Sequence, residues 1–211
     1  MDFFLRLYGI LGAGTTFYWP FMHQAQAHSP LLNDYLSELT RACRKSGGQH
    51  LPVLDLACGS GRNGLYLVKN GLPVMFADIN EQALSQIEET VGTTEGQGHA
   101  SYWHQDFELP GTAPLEGKTF AAIMVFRYLH RPLMAQLKQA VQPGGLIIYE
   151  TFTRTQAQFG RPKNPDFLLA PGELAGCFAD WHVCHHFEGI VEFDGVKQAI
   201  AQLVAVKPDE S

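Results

Sequence analysis

The chain has 211 residues, 45% of them hydrophobic and 17% charged, which is enough for one domain with its own core. A formal net charge of −6 argues against the basic face that a large nucleic-acid footprint needs. The four cysteines (Cys43, Cys58, Cys177, Cys184) show no C-x-x-C spacing and are expected to be reduced core residues of a cytoplasmic protein.

In chain order, Met1–Met22 is apolar and aromatic, and Ala25-Gln26-Ala27 has the small residues of a signal-peptidase site. Asp2 stands where a positive n-region belongs. Gly12, Gly14, Thr15 and Thr16 interrupt the apolar run, so it makes a poor membrane span and is expected to be retained as short helices. Ser29-Pro30 reads as a helix start, a capping Ser followed by Pro at the first helical position. Leu31, Leu32, Tyr35, Leu36, Leu39, Ala42 and Cys43 then form one apolar face at helical spacing, and Gly47-Gly48 ends it. Residues 1–48 therefore read as an N-terminal helical extension. Its Phe17, Tyr18, Trp19 and Phe21 need a surface to bury against, and the expectation is a lid over the open end of the fold. A flank of the sheet or a dimer contact is the other placement.

From Leu51 the pattern alternates. The expected strands are Leu51–Ala57, Pro73–Ile79, Ala100–Asp106, Phe120–Tyr128 and Gly145–Thr151; the expected helices are Arg62–Asn70, Glu81–Val91 and Arg131–Val141. Short apolar strands between amphipathic helices mean α/β architecture with a parallel sheet. The rhythm then changes to two strand-like runs, Trp181–Phe193 and Lys197–Val206, around the hairpin signal Asp194-Gly195. Residues 49–211 read as one compact unit.

The chemistry gathers at Val53–Gly64, VLDLACGSGRNG. An apolar strand runs into Gly59-Ser60-Gly61-Arg62-Asn63-Gly64, and an apolar helix pattern follows. This is a strand, a glycine turn and a helix N-terminus, the order that makes a nucleotide-type cleft. Asp78, nineteen residues past Gly59 at the next strand end, is placed to accept both hydroxyls of a ribose. NAD and S-adenosylmethionine both need that acid. Asp55, read as lying at the mouth of the turn, separates them. Two like charges about 4 Å apart cost about 4 kcal/mol at an effective dielectric near 20, so an acid there opposes a pyrophosphate. It suits the ammonium and sulfonium of S-adenosylmethionine.

On DLACGSGRNGLYL (Asp55–Leu67), the acids of FADIN (Asp78) and WHQDF (Asp106), the turn Pro143–Gly145 and, more weakly, FLLAPGEL (Phe167–Leu174), the sequence resembles a class I S-adenosylmethionine-dependent methyltransferase. It is most similar to the small-molecule enzymes of the tellurite-resistance type. The resemblance implies a Rossmann-like, mostly parallel seven-stranded sheet ending in an antiparallel hairpin, which a standard dinucleotide fold lacks. It implies a cofactor site of Asp55, Ala57, Gly59, Gly61, Arg62, Asp78, Ile79, Asp106, Phe107 and Val125, with Asp106 on the adenine amino group. It also places Val125–Arg131 opposite the methyl group, with Arg127, Tyr128 and His130 as reaction-side residues. That segment lacks the (Asn/Asp)-Pro-Pro-(Tyr/Phe) and Pro-Cys motifs of enzymes acting on nucleobases.

The connection from Thr151 to Pro171 is long for a structureless loop, and its Arg154, Arg161 and Lys163 are expected to join Arg127 in binding a small anion. His182, His185 and His186 lack metal-site geometry: the outer two lie ~13 Å apart on a strand, and neighbours face opposite sides. The expected activity is methyl transfer to a small, soft or anionic acceptor such as a thiol or chalcogen oxyanion, by a monomer or homodimer without a metal, nucleic-acid or membrane partner. A methyltransferase acting on RNA or protein, and a non-catalytic module that binds the nucleoside, are the alternatives.

Overall fold

The architecture is that of a computed structural model, which describes residues 28–44, 50–93, 99–193 and 195–209. Seven strands form one sheet: β1 (Val53–Leu56), β2 (Val74–Asp78), β3 (Ala100–His104), β4 (Phe120–Phe126), β5 (Val141–Phe152), β6 (His182–Phe193) and β7 (Val196–Val206). Their order is β3-β2-β1-β4-β5-β7-β6. Strands β1 to β5 are parallel, and β7 runs antiparallel between β5 and β6. The chain thus leaves β1 toward one edge, then returns to build the other half from β4. That reversal opens a crevice at the carboxyl ends of β1 and β4, where ligands of such sheets bind.

Strands β1 and β4 are buried along their whole length, as strands covered on both faces must be. One face packs Leu54, Leu56, Ile123, Val125, Ile147 and Tyr149 against Leu133, Leu137, Leu174 and Phe178. The other packs Val53, Phe76, Met124, Ile148 and Val204 against Leu67, Leu84, Ile87, Leu32 and Leu39.

The described part of the N-terminal extension, residues 28–44, belongs to that second face. Helices α1 (Leu31–Asp34) and α2 (Leu36–Cys43) lie in its core, with α2 against β4 and β5. Where one helix is expected from Ser29, two form, because Tyr35 (φ −113°, ψ 15°) breaks the ladder. Nor is Ser29 the cap: its N–H donates to Asn63 Oδ1 at 2.9 Å, and its buried hydroxyl has no partner among the described residues. His28 stacks on Tyr66 with ring centroids 3.6 Å apart. The chain entering α1 is therefore tied to helix α3 (Arg62–Lys69), which opens at the glycine turn. Residues 28–44 flank the sheet. Residues 1–27, with the four aromatic side chains assigned to a lid, lie outside the described residues.

Helix α4 (Glu81–Gly92) is capped by Asn80, whose side chain accepts from Ala83 N. The helix expected over Arg131–Val141 begins as a 3₁₀ turn, Arg131–Leu133, containing Pro132, and becomes α5 only at Met134–Ala140. Strand β5 starts earlier than expected, because Val141 already pairs with Phe120 across a register irregularity. A short helix α6 (Glu173–Cys177) adds Leu174 to the first face. Cys184 sits at a register shift in β6, exposed instead of in the core. Among the described residues no helix is long and apolar enough to cross a membrane.

Candidate active site

The turn after β1 is built on positive φ at Ala57 (53°), Gly59 (55°) and Gly61 (71°). A β-carbon on Gly59 would meet nothing within 4 Å, so the turn faces open space there. One on Gly61 or Gly64 would strike Ile87 or Phe76, so those two glycines let the helix seat against the sheet. Cys58 fills the underside. Burial, with Asp55 and Asp78 nearby, pushes its thiol far up, which disqualifies it as a nucleophile.

Asp78 ends β2 beside this turn. Its Oδ2 accepts from Gly59 N at 2.8 Å and its Oδ1 from Asn80 N at 2.9 Å. Each oxygen keeps a second acceptor position, and the carboxylate is fixed by backbone on both sides. Asp106 follows β3, its Oδ1 accepting from Glu108 N at 2.8 Å. Phe107 is buried edge-on to Trp103. Ile79 is half-buried at the end of β2, its carbonyl 2.9 Å from His104 Nε2. The side chain of Val125 is wholly buried in the core, so only its backbone can face the crevice.

Asp55 differs from its expected position. It lies under the turn, 2% exposed, with Oδ2 accepting from Gly64 N at 3.0 Å. Burial pushes its pKa up to about 8, helped by Asp78 and opposed by the Gly64 N–H and Arg62. At neutral pH it is mainly protonated, so the charge argument against a pyrophosphate loses its premise. What separates this chain from a dinucleotide fold is the antiparallel hairpin beside β5. A pH dependence follows. The unfolded carboxyl ionises near pH 4 and the folded one near 8, so the folded state holds the extra proton between them. Stability must therefore fall as pH rises through that window. Asp55→Asn is expected to flatten the dependence of Tm on pH between about 4 and 8, read by thermal unfolding of both proteins across that range.

Arg127, just past β4, has φ 59°, a strained value for a residue with a side chain. Its Nη2 lies 3.0 Å from Glu150 Oε1, and its guanidinium carbon sits 4.5 Å over the Phe152 ring. Its Nη1 is buried with no partner among the described residues. Gln202 on β7 donates to the other Glu150 oxygen at 2.6 Å and lies 3.1 Å from His185. Desolvation lowers the Arg127 pKa, Glu150 opposes it, and the charge of Arg62 adds to the lowering. Tyr128 is buried; burial and the acid Glu108 push its phenol far up, so it is no base at neutral pH.

Arg131 is a clamp. It holds Glu173 through Nε (2.6 Å) and Nη2 (2.9 Å), the Asp166 carbonyl through Nη1 (2.8 Å) and the Leu168 carbonyl through Nη2 (3.0 Å). These bonds fix the connection after β5. Inside it, buried Gln156 donates to the Arg161 carbonyl and accepts from Ala199 N on β7, and Thr153 bridges Leu169. Between this connection and the Leu129–Pro132 segment lies a cavity of about 850 Å³, with His130, Arg161 and Lys163 on its walls. The four cations expected to cluster do not. Arg161 and Lys163 line the cavity, Arg127 is engaged by Glu150 and Phe152, and Arg154 lies outside the lining, near Glu173. No group of three or more metal-binding side chains forms among the described residues.

Glu150, Gln202, Gln156 and Glu173 carry no local signal in the sequence. The contacts that define them reach far along the chain: Glu173 to Arg131, Gln156 to Ala199 and Gln202 to Glu150 span 42 to 52 residues.

A model of the methyltransferase domain matches residues 53–145, which span the glycine turn, Asp78, Asp106 and β4. Over those residues the chain is similar to the methyltransferase domain family. The chain is 25% identical over 151 residues to the probable S-adenosyl-L-methionine-dependent methyltransferase TehB of Haemophilus influenzae. The match covers 66% of this chain and 49% of that protein, so the chain spans about half the length of this curated relative. The crystal structure of the same TehB superposes with a TM-score of 0.63 at 23% identity, over 74% of this chain and 57% of that one. A methyltransferase structure from Methanosarcina mazei gives 0.61 at 15% identity, over 88% and 100%. Magnesium protoporphyrin IX methyltransferase of Synechocystis, solved with bound SAM, gives 0.57 at 16% identity, over 98% and 90%. These likenesses show the class I methyltransferase fold, hairpin included.

Proposed function

We propose that the chain binds S-adenosylmethionine in the crevice over β1, β2 and β4 and transfers its methyl group to a soft or anionic acceptor. The observation that carries the reading is Asp78: a strand-end carboxylate, fixed by the N–H groups of Gly59 and Asn80, beside a turn that faces open space at Gly59. The free acceptor positions of Asp78 suit two ribose hydroxyls. Asp106 is oriented by the Glu108 N–H and suits an adenine amino group.

Bound S-adenosylmethionine supplies a methyl group already activated by a sulfonium. The residues here bind and align. The acceptor lone pair forms the new bond to carbon as the carbon–sulfur bond breaks and its pair goes to sulfur. Holding the groups in line can contribute roughly 7–11 kcal/mol. Arg127, pinned by Glu150 and Phe152, puts a positive charge at the end of β4 that favours an anionic acceptor. His130, half-buried on the cavity wall, is the group that would take a proton from a thiol acceptor.

Calorimetry tests the cofactor. S-adenosylhomocysteine is expected to bind in the micromolar range and NAD not at all; micromolar NAD binding with no response to S-adenosylhomocysteine overturns the reading. Transfer from labelled S-adenosylmethionine across thiols, selenite, tellurite and bulk tRNA then identifies the acceptor class.

A further inference from the structure

The geometry points to an organic anion as the acceptor, not a bare inorganic oxyanion, bound in the cavity between Leu129–Pro132 and the connection after β5. This rests on the methyl-transfer reading above. Size is the first argument. The cavity holds about 850 Å³, within the range of roughly 300–1,000 Å³ found for small-molecule sites. An oxyanion with the bulk of three waters fills only roughly 90 Å³, at ~30 Å³ per water. The rest of the space calls for a molecular body, and Leu129, Pro132 and Phe167 supply apolar wall for one.

Charge is the second argument. The Arg161 and Lys163 side chains make no hydrogen bond or ion pair among the described residues, whereas Arg131 has its donors committed to Glu173, Asp166 and Leu168. The two uncommitted cations stand on the connection after β5. Of the two acids on the walls, Asp166 sits in the field of Arg131. Glu108 comes from the segment after β3, two residues past Asp106. The two uncommitted cations both stand on the wall formed by the connection, and an acidic group on the acceptor belongs there. Its soft atom then extends toward His130 and the end of β4.

Rigidity is the third argument. The Arg131 clamp, the Gln156 bonds and the Thr153–Leu169 bridge tie down the segment that carries Arg161 and Lys163. The backbone under both cations is preformed, so the ordering cost of binding is confined to their two side chains.

The experiment compares three probes by calorimetry on the full chain, with and without saturating S-adenosylhomocysteine. The probes are 3-mercaptobenzoate, thiophenol (the body without the anion) and selenite (the anion without the body). 3-Mercaptobenzoate is expected to bind at least tenfold more tightly than either of the others. Arg161→Ala combined with Lys163→Ala is expected to erase that advantage while leaving S-adenosylhomocysteine affinity within twofold, which also reports that the variant is folded. Selenite binding as tightly as the mercaptobenzoate, or an advantage that survives in the folded variant, overturns the proposal. The wild-type comparison decides even if the variant does not fold. Turnover is scored separately: no labelled methyl transfer and no S-adenosylhomocysteine binding sinks the methyl-transfer reading, while the probe titrations without the nucleoside still decide what the cavity holds.

Discussion

Asp78→Ala is expected to weaken S-adenosylhomocysteine binding by about 100-fold to 1,000-fold, or about 2.7–4.1 kcal/mol. A hydrogen bond to a charged group contributes roughly 1.5–3 kcal/mol, and two ribose hydroxyls are lost. The structure adds a second cost, because the same carboxylate holds the N–H groups of Gly59 and Asn80. Alanine leaves both donors unpaired and loosens the glycine turn, so a Tm decrease of a few degrees should accompany the binding loss. Asp78→Asn is the informative control. An amide has one acceptor oxygen where two backbone donors need two, so asparagine should recover part of the stability and little of the affinity. Calorimetry and thermal unfolding read the two effects apart. Affinity within twofold of wild type in the alanine variant would make Asp78 a purely structural residue.

Gly64→Ala is expected to be the most damaging single-methyl change in the turn. The new β-carbon would overlap the Phe76 ring and come within 2.8 Å of Asp55 Oδ2. Phe76 is fully buried and stacks on Tyr102, so it has nowhere to go. Alanine gains up to about 1 kcal/mol of helix propensity over glycine, but overpacking a tight core costs about 1–3 kcal/mol and sometimes more. Here the clash also pushes on a buried carboxyl, so the net should be a loss of at least about 2 kcal/mol, with cofactor affinity falling alongside. Gly92→Ala isolates the propensity effect. That glycine ends α4 with nothing within 4 Å of its would-be β-carbon. There the substitution should be neutral or slightly stabilising. Equal Tm values for Gly64→Ala and wild type would refute the packing argument.

Much of the half proposed to bind the cofactor was legible as structure because its determinants are local. The strand, the turn and the helix from Val53 to Lys69 are contiguous. The Asp78–Gly59 contact spans only the nineteen residues of one β-α-β step. Asp55 shows where such reading stops. Its place in the motif was visible, but whether its carboxyl points up at a ligand or down under a helix depends on Gly64 packing on Phe76. The reaction half was harder to read. That Arg131 is a clamp follows only when the connection after β5 folds back to bring Glu173 alongside. The Arg127–Glu150–Gln202 chain exists only in the register that pairs Glu150 with Gln202. Helix α6 was missed because five residues are too few to show a helical period.

The position of β7 has a consequence for how the molecule is made. It is the last of the seven strands to leave the ribosome, yet it belongs in the interior of the sheet, between β5 and β6. Until about Val206 has cleared the exit tunnel, β6 has no neighbour at all, and β5 offers an open edge twelve residues long. The cofactor half, β1 to β4, can close during synthesis. The wall that carries Arg161 and Lys163 cannot, because Gln156 takes its backbone partner from Ala199. A nascent chain therefore passes through a stage with the crevice over β1 to β4 assembled, the connection after β5 slack and two hydrogen-bonding edges exposed. That is the stage at which strand mispairing between neighbouring chains is most dangerous.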